Sequence, residues 1–188
     1  FVKAKFYRED LRGPIPIELF NKLLSKQPIL AVERRSKYLM IKTKLGYGLV
    51  HLGMTGNLIC QRYAKPQIDH THAVFTIVTD EGEKVWLHYV DPRRFGRIDC
   101  IEGHEFASHK FFKDLGPEPL KTSNLGEYLF DKGKERKKPI KTFIMDNSIV
   151  VGVGNIYAAE ALFKIGLNPT TPSCEVSKNT YLNLGKEI

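Results

Sequence analysis

The hydrophobic rhythm of the chain changes once, near residue 105. Before that point short runs alternate apolar and polar positions, the period-two pattern of half-buried strands. Residues 1–7 alternate apolar and basic side chains, and strands are predicted at 29–34, 38–43, 48–52, 57–62, 72–79 and 84–90. Gly46-Tyr47-Gly48 and Asp80-Glu81-Gly82 read as hairpin turns between them. One short helix interrupts the series at 16–25, with Ile17, Phe20, Leu23 and Leu24 on one stripe. Many short strands separated by turns point to a sandwich or a barrel.

After residue 105 the apolar positions return at helical spacing. A helix is predicted at 106–115, stopped by Gly116-Pro117-Glu118-Pro119. Further helices are predicted at 125–131, 139–147, 155–165 and 177–188, with Pro139 suited to a first helical position. In the helix after Asn155, the residues Ile156, Ala159, Leu162 and Phe163 share one predicted face. The expected organisation is therefore α+β and multidomain, with a β domain over 1–110 and a helical domain over 111–188. No repeat or low-complexity tract interrupts either part.

With 188 residues and 42% apolar content, the chain can bury a real core. Its formal charge of +8 favours a polyanionic partner. The placement of that charge says more than its total. Between Asp131 and Lys141 lie Lys132, Lys134, Arg136, Lys137, Lys138 and Lys141, against Asp131 and Glu135, so half the net charge sits in one segment. Cys60, Cys100 and Cys174 are odd in number and widely spaced. That argues against a disulfide framework and against a metal site within these residues, and fits a reducing cytoplasm. No apolar run reaches membrane-spanning length, so no membrane partner is expected.

Directly after the basic segment comes Met145-Asp146-Asn147-Ser148-Ile149-Val150-Val151-Gly152-Val153-Gly154-Asn155. Two glycines one residue apart and an asparagine cap lead into a helix, whose first amides suit a phosphate. Together these features point to nucleic acid. Lys37 stands at the start of a predicted strand and is a candidate phosphate or proton-transfer group, though a plain surface lysine is the alternative. Met54, between Gly53 and Gly56, is either a loop side chain folded on the core or an exposed wedge for a base stack. Asp91-Pro92-Arg93-Arg94-Phe95-Gly96 offers arginines for base edges and an aromatic ring for stacking, with an Asp91–arginine salt bridge as the alternative. His70 and His72 would face the same way on a strand, as a DNA contact, plain surface or weak metal pair.

These segments resemble the bacterial formamidopyrimidine-DNA glycosylase family, which repairs 8-oxoguanine. The resemblance rests on Arg34-Arg35-Ser36-Lys37-Tyr38-Leu39, His51-Leu52-Gly53-Met54-Thr55-Gly56, Asp91-Pro92-Arg93-Arg94-Phe95-Gly96, Leu115-Gly116-Pro117-Glu118-Pro119-Leu120 and the glycine turn, in family order. It implies an N-terminal antiparallel β-sandwich, then a helical domain with a helix-two-turn-helix motif, and double-stranded DNA with oxidised bases or abasic sites as partner. It further implies a bacterial, nucleoid-associated monomer.

By resemblance, Lys37 supports catalysis beside the lesion, and Met54, Arg93 and Phe95 fill the gap left by a flipped nucleotide. His70, Arg93, Arg136, Lys141 and Asn155 match DNA-contact positions, and Glu160 matches a lesion-pocket position. The family's nucleophile is an N-terminal proline followed by a glutamate, and its C-terminus is a four-cysteine zinc ribbon. This sequence starts Phe1-Val2-Lys3 and runs to Ile188 without either feature. It is therefore expected to be an inactive central piece of such an enzyme. A non-catalytic nucleic-acid binder, or an endonuclease VIII-type glycosylase for oxidised pyrimidines, is the rival expectation.

Overall fold

The computed structural model describes residues 1–62 and 68–188, and the chain divides into two compact units, Phe1–His109 and Lys110–Ile188.

The first unit is built from two four-stranded antiparallel sheets. One contains β1 (Lys3–Phe6), β5 (Asn57–Gln61), β6 (Thr71–Val78) and β7 (Lys84–Val90), in the order β1-β6-β7-β5. The other contains β2 (Ala31–Arg35), β3 (Tyr38–Lys42), β4 (Gly46–His51) and β8 (Arg97–Glu102), in sequential order. Inward residues of both sheets, among them Ile41, Val50, Ala73, Phe75, Tyr89 and Ile98, join one core. Helix α1 (Ile17–Leu24) adds Phe20, Leu23 and Leu24 to it, close to the predicted stripe. The Phe20 ring stacks on Phe75 at 5.6 Å between centroids. Full burial of such side chains stabilises by roughly 1.5–3 kcal/mol each.

Two local expectations for this unit need correction. Gly46, Tyr47 and Gly48 are not a turn but lie within β4. A Cβ on Gly48 would sit 2.7 Å from a Leu24 methyl, so the missing side chain is where α1 packs onto the strand. His70 and His72 are not a pair on one strand face. His70 is exposed at φ +61° just before β6, whereas His72 is buried with Nε2 bonded to the Asp91 carbonyl at 2.8 Å.

The second unit is helical: α2 (Leu125–Gly133), α3 (Ile140–Ile144), α4 (Asn155–Lys164) and α5 (Lys178–Glu187), with single 3-10 turns at Pro119–Lys121 and Ser173–Glu175. Leu129, Ile140, Phe143, Val150, Ala158, Leu162 and Tyr181 anchor its core. Helix α5 is capped by Ser177, whose Oγ accepts from the Thr180 amide at 3.1 Å. Helices α2 and α5 touch backbone to backbone, since a Cβ on Gly185 would lie 2.3 Å from the Gly126 nitrogen. The helix expected at 106–115 is absent. That stretch is a series of turns in which Phe112 alone is buried, so there is no continuous apolar face to hold a helix. The expected face of α4 is also out of phase. Leu162 is buried, but Ile156 and Phe163 are exposed, and the helix buries Ala158 and Ala161 in their place.

Candidate nucleic-acid interface

Strand register gathers the candidates of the first unit. The chain crosses between the sheets twice here, from β4 to β5 through residues 52–56 and from β7 to β8 through 91–96. His51 at the end of β4 pairs with Arg97 at the start of β8, and Asn57 at the start of β5 pairs with Val90 at the end of β7. Both crossings are therefore at the same end of the sandwich. Tyr38 also pairs with His51, which brings the β2–β3 turn with Lys37 to this end, and Thr71 pairs with Val90, which brings His70.

The two crossing loops are in contact along their backbones. Gly53 has φ +66°, and a Cβ there would lie 2.6 Å from the Phe95 carbonyl carbon and from the Gly96 nitrogen. Beyond this contact the side chains project outward. Met54 is 71% exposed and Phe95 45%. The Arg93 guanidinium lies over the Phe95 ring, 4.6 Å from its centroid. Met54 is thus not folded on the core. Among the described residues Asp91 forms no salt bridge with an arginine, the alternative reading; its carboxylate receives Thr55 Oγ1 at 2.7 Å and the Gly96 amide at 2.8 Å. Burial would raise this carboxyl's pKa, but hydrogen bonds from Thr55 and from the amides of Gly96, Arg94 and Arg93 outweigh it and hold it below the ordinary range.

Lys37 lies in the β2–β3 turn rather than in a strand, exposed beside Ser36 at φ +55°. The structure adds neighbours that the sequence reading does not include. Burial lowers the His51 pKa, and the charges of Arg12, Lys37 and Arg97 lower it further. The His51 Nδ1 accepts the Gly53 amide at 3.0 Å, so the imidazole is neutral, with its proton on Nε2. Arg12, Lys37 and Arg97, the last paired with Asp99 at 3.9 Å, thus act on a neutral donor, a set of groups suited to a phosphate. Neither Arg97 nor Arg12 carries a sequence signal for this place, since Arg97 arrives through its register with His51 and Arg12 lies on an irregular segment.

The second unit holds the remaining candidates. Asp146 organises the glycine turn, accepting Ser148 Oγ at 2.7 Å, the Ser148 amide at 3.0 Å and Lys138 Nζ at 3.0 Å. Ser148 first, then Lys138, draws its pKa down to about 2. The 115–120 segment braces the same turn, with Gly116 N donating to Asn147 O and Val151 N to Pro117 O. Asn155 is not the cap. Gly154 occupies that position and the exposed Asn155 is the first residue of α4, where amides have no helical acceptor. Lys141 and Glu160 line one groove of about 680 Å³ with Phe163 and Leu167. Arg136 is exposed and acts electrostatically on Tyr128. Lys134 and Lys138 pair with Asp131 and Asp146, so the basic segment is partly neutralised at its own surface.

A two-sheet β unit followed by a helix-two-turn-helix unit defines the class. The formamidopyrimidine-DNA glycosylase N-terminal domain matches residues 1–98, and the formamidopyrimidine-DNA glycosylase H2TH domain matches 115–188. The formamidopyrimidine-DNA glycosylase of Stutzerimonas stutzeri is 46% identical over 178 residues, covering 95% of this chain and 63% of its own length. That of Hahella chejuensis is 41% identical over 187 residues, covering 100% of this chain and 67% of the relative. Among solved structures, the MutM (Fpg) protein of Thermus thermophilus is 30% identical with a TM-score of 0.78, over 99% of this chain and 64% of that one. The Lactococcus lactis enzyme, bound non-covalently to DNA containing an AP site, is similar in fold, with a TM-score of 0.85 at 24% identity over 99% of this chain and 70% of that one. The chain belongs to the formamidopyrimidine-DNA glycosylase family and spans 63% of the length of its Stutzerimonas relative.

The four-cysteine zinc site of the family finds no fit among the described residues. Cys60 is exposed on β5, Cys100 is buried on β8 and Cys174 lies in the helical unit. No group of three His, Cys, Asp or Glu side chains gathers among the described residues.

Proposed function

We propose that the complete protein is a base-excision DNA glycosylase and abasic-site lyase acting on oxidised purines, 8-oxoguanine and formamidopyrimidines, in duplex DNA. The observation that carries the reading is the exposure of Met54, Arg93 and Phe95 on two sheet-crossing loops whose backbones touch, in a chain of this family. The AP-site DNA held by the Lactococcus relative supports it.

Extruding a base costs a few kcal/mol. Met54 and Phe95 replace the lost stacking, at about 1–3 kcal/mol per stacked base, and Arg93 satisfies the unpaired base opposite. Lys37, His70, Arg136, Lys141 and Asn155 hold the backbone through phosphates, and Glu160 takes part in recognising the lesion. In the covalent step the N-terminal amine of the complete protein attacks the sugar carbon, the glycosidic bond breaks, and a Schiff base forms before β,δ-elimination. Lys37 supports this step from beside the lesion. No step is routed through zinc. The protein works as a monomer on bacterial chromosomal DNA in the cytoplasm, without a membrane partner.

The test is borohydride trapping on an 8-oxoguanine:cytosine duplex, with binding to an abasic-site duplex measured in parallel. The complete protein is expected to form a covalent adduct, and Arg93→Ala to weaken excision. Binding without any adduct from the complete protein would overturn the enzymatic reading in favour of a non-catalytic binder. Faster excision of an oxidised pyrimidine than of 8-oxoguanine would overturn the purine assignment.

A further inference from the structure

Met54 and the Arg93–Phe95 pair are on different loops, yet a gap-filling role demands that they move as one body. Loops on sandwich ends are the mobile part of such folds. Here one buried side chain joins them. Asp91 is 0% exposed and follows the last residue of β7 directly. Its Oδ1 accepts Thr55 Oγ1 at 2.7 Å, from the loop that carries Met54. Its Oδ2 accepts the Gly96 amide at 2.8 Å and the Tyr89 hydroxyl at 3.4 Å, closing the loop that carries Arg93 and Phe95. Its backbone is used as well. The Asp91 amide donates to the His70 carbonyl at 3.1 Å, and its carbonyl accepts the Arg94 amide at 3.2 Å and His72 Nε2 at 2.8 Å.

The backbone around this hub is held in unusual conformations. Arg94 and His70 have φ of +58° and +61°, the left-handed region that non-glycine residues rarely occupy. Such residues persist where the surroundings over-determine them, and Asp91 bonds to both.

We infer that Asp91 is a positioning residue that locks the Met54 loop, the Arg93–Phe95 loop and the His70 turn into one rigid reading head. It touches no DNA; its effect is to fix the spacing of the side chains that do. This rests on the DNA-binding reading above, so its test has an arm that needs no DNA.

The first arm is hydrogen exchange of the free chain. Thr55→Val removes one hydroxyl from the Met54 loop, and Thr55→Ser keeps it. Thr55→Val is expected to speed exchange in both 52–56 and 91–96, by about tenfold for a lost bond to a charged acceptor. Thr55→Ser should behave as wild type, and Asp91→Asn should loosen both segments more strongly. Faster exchange confined to 52–56 in Thr55→Val would overturn the coupling. The second arm places 2-aminopurine beside a tetrahydrofuran abasic analogue and reads its fluorescence at saturating protein. Asp91→Asn and Thr55→Val should lower the amplitude at saturation while leaving the salt dependence of binding unchanged. Full wild-type amplitude in both variants would overturn the role in DNA reading. If the exchange arm succeeds and wild type itself gives no fluorescence change, the DNA-binding reading fails, and the reading-head assignment with it.

Discussion

Gly53→Ala tests whether the two crossing loops really support each other. The substitution adds one methyl group, and two costs follow. Gly53 has φ +66°, so alanine is strained by about 1–2 kcal/mol. A gain of about 0.4–1 kcal/mol from the stiffer unfolded chain partly offsets this. The second cost is steric. The new Cβ would lie 2.6 Å from the Phe95 carbonyl carbon and 2.7 Å from its oxygen, backbone atoms that cannot swing aside. Overpacking of this kind costs about 1–3 kcal/mol, so the expected loss is about 2–4 kcal/mol. Gly82→Ala is the control, because Gly82 has φ +82° but nothing within 4 Å of its Cβ position. It carries only the backbone part, about 1 kcal/mol or less. The assay is urea unfolding followed by Trp86, the single tryptophan, which lies on β7 and reports on the first unit. The difference between the variants measures the loop–loop contact. Equal losses, within about 0.5 kcal/mol, would refute the reasoning.

Further outcomes are expected. In an NMR titration His51 should change charge below pH 6.5, and Lys37→Ala should raise its midpoint. Because its folded pKa lies below the unfolded one, its neutral form supports stability fully above pH 6.5, and that support falls away as pH drops through 6.5 toward the folded value. A midpoint at or above 6.5 would contradict the bond from Gly53 to Nδ1. Lys37→Ala should weaken binding to damaged and undamaged duplexes alike and flatten the plot of log K against log salt by about 1. Met54→Ala should leave that slope alone and reduce the preference for an abasic site; a changed slope would reassign Met54. Gly185→Ala should lower the melting temperature of the helical unit, since overlap with Gly126 costs about 1–3 kcal/mol against about 1 kcal/mol of helix propensity gained. A stabilised variant would mean that α2 and α5 are not in backbone contact.

Strand β6 is found from its run of β-branched and aromatic residues although positions 71–76 are buried in succession, and alternation marks β2 best. It did not mark β8, where Ile98, Asp99, Cys100 and Ile101 are buried in succession and the period of two disappears. Glycines were the other source of error. At 46–48 they looked like a turn, but Gly48 is a strand residue kept small by Leu24 and Phe20 of α1, a tertiary fact with no local trace. The face of α4 was misread for a related reason. Its large apolar residues Ile156 and Phe163 suggested the buried side, whereas the core accepts the small residues Ala158 and Ala161.

The candidate residues Met54, Arg93 and Phe95 were legible as residue types on glycine-flanked turns, but their proximity was not. The loops that carry residues 54 and 93 meet because β4 and β8 pair in one sheet while β5 and β7 pair in the other, so both crossings leave from the same end. Only the register states this, and a slip of one residue would turn the alternating side chains to the opposite face. The same register decides between the two readings of Asp91. Beside two arginines in sequence, it suggests a salt bridge. In the fold its acceptors face Thr55, which is 36 residues away, and the Gly96 amide. The arginines stay exposed. Both side chains at this end are thus left available to a polyanion, and the carboxylate that would have neutralised them is spent on the backbone that holds them.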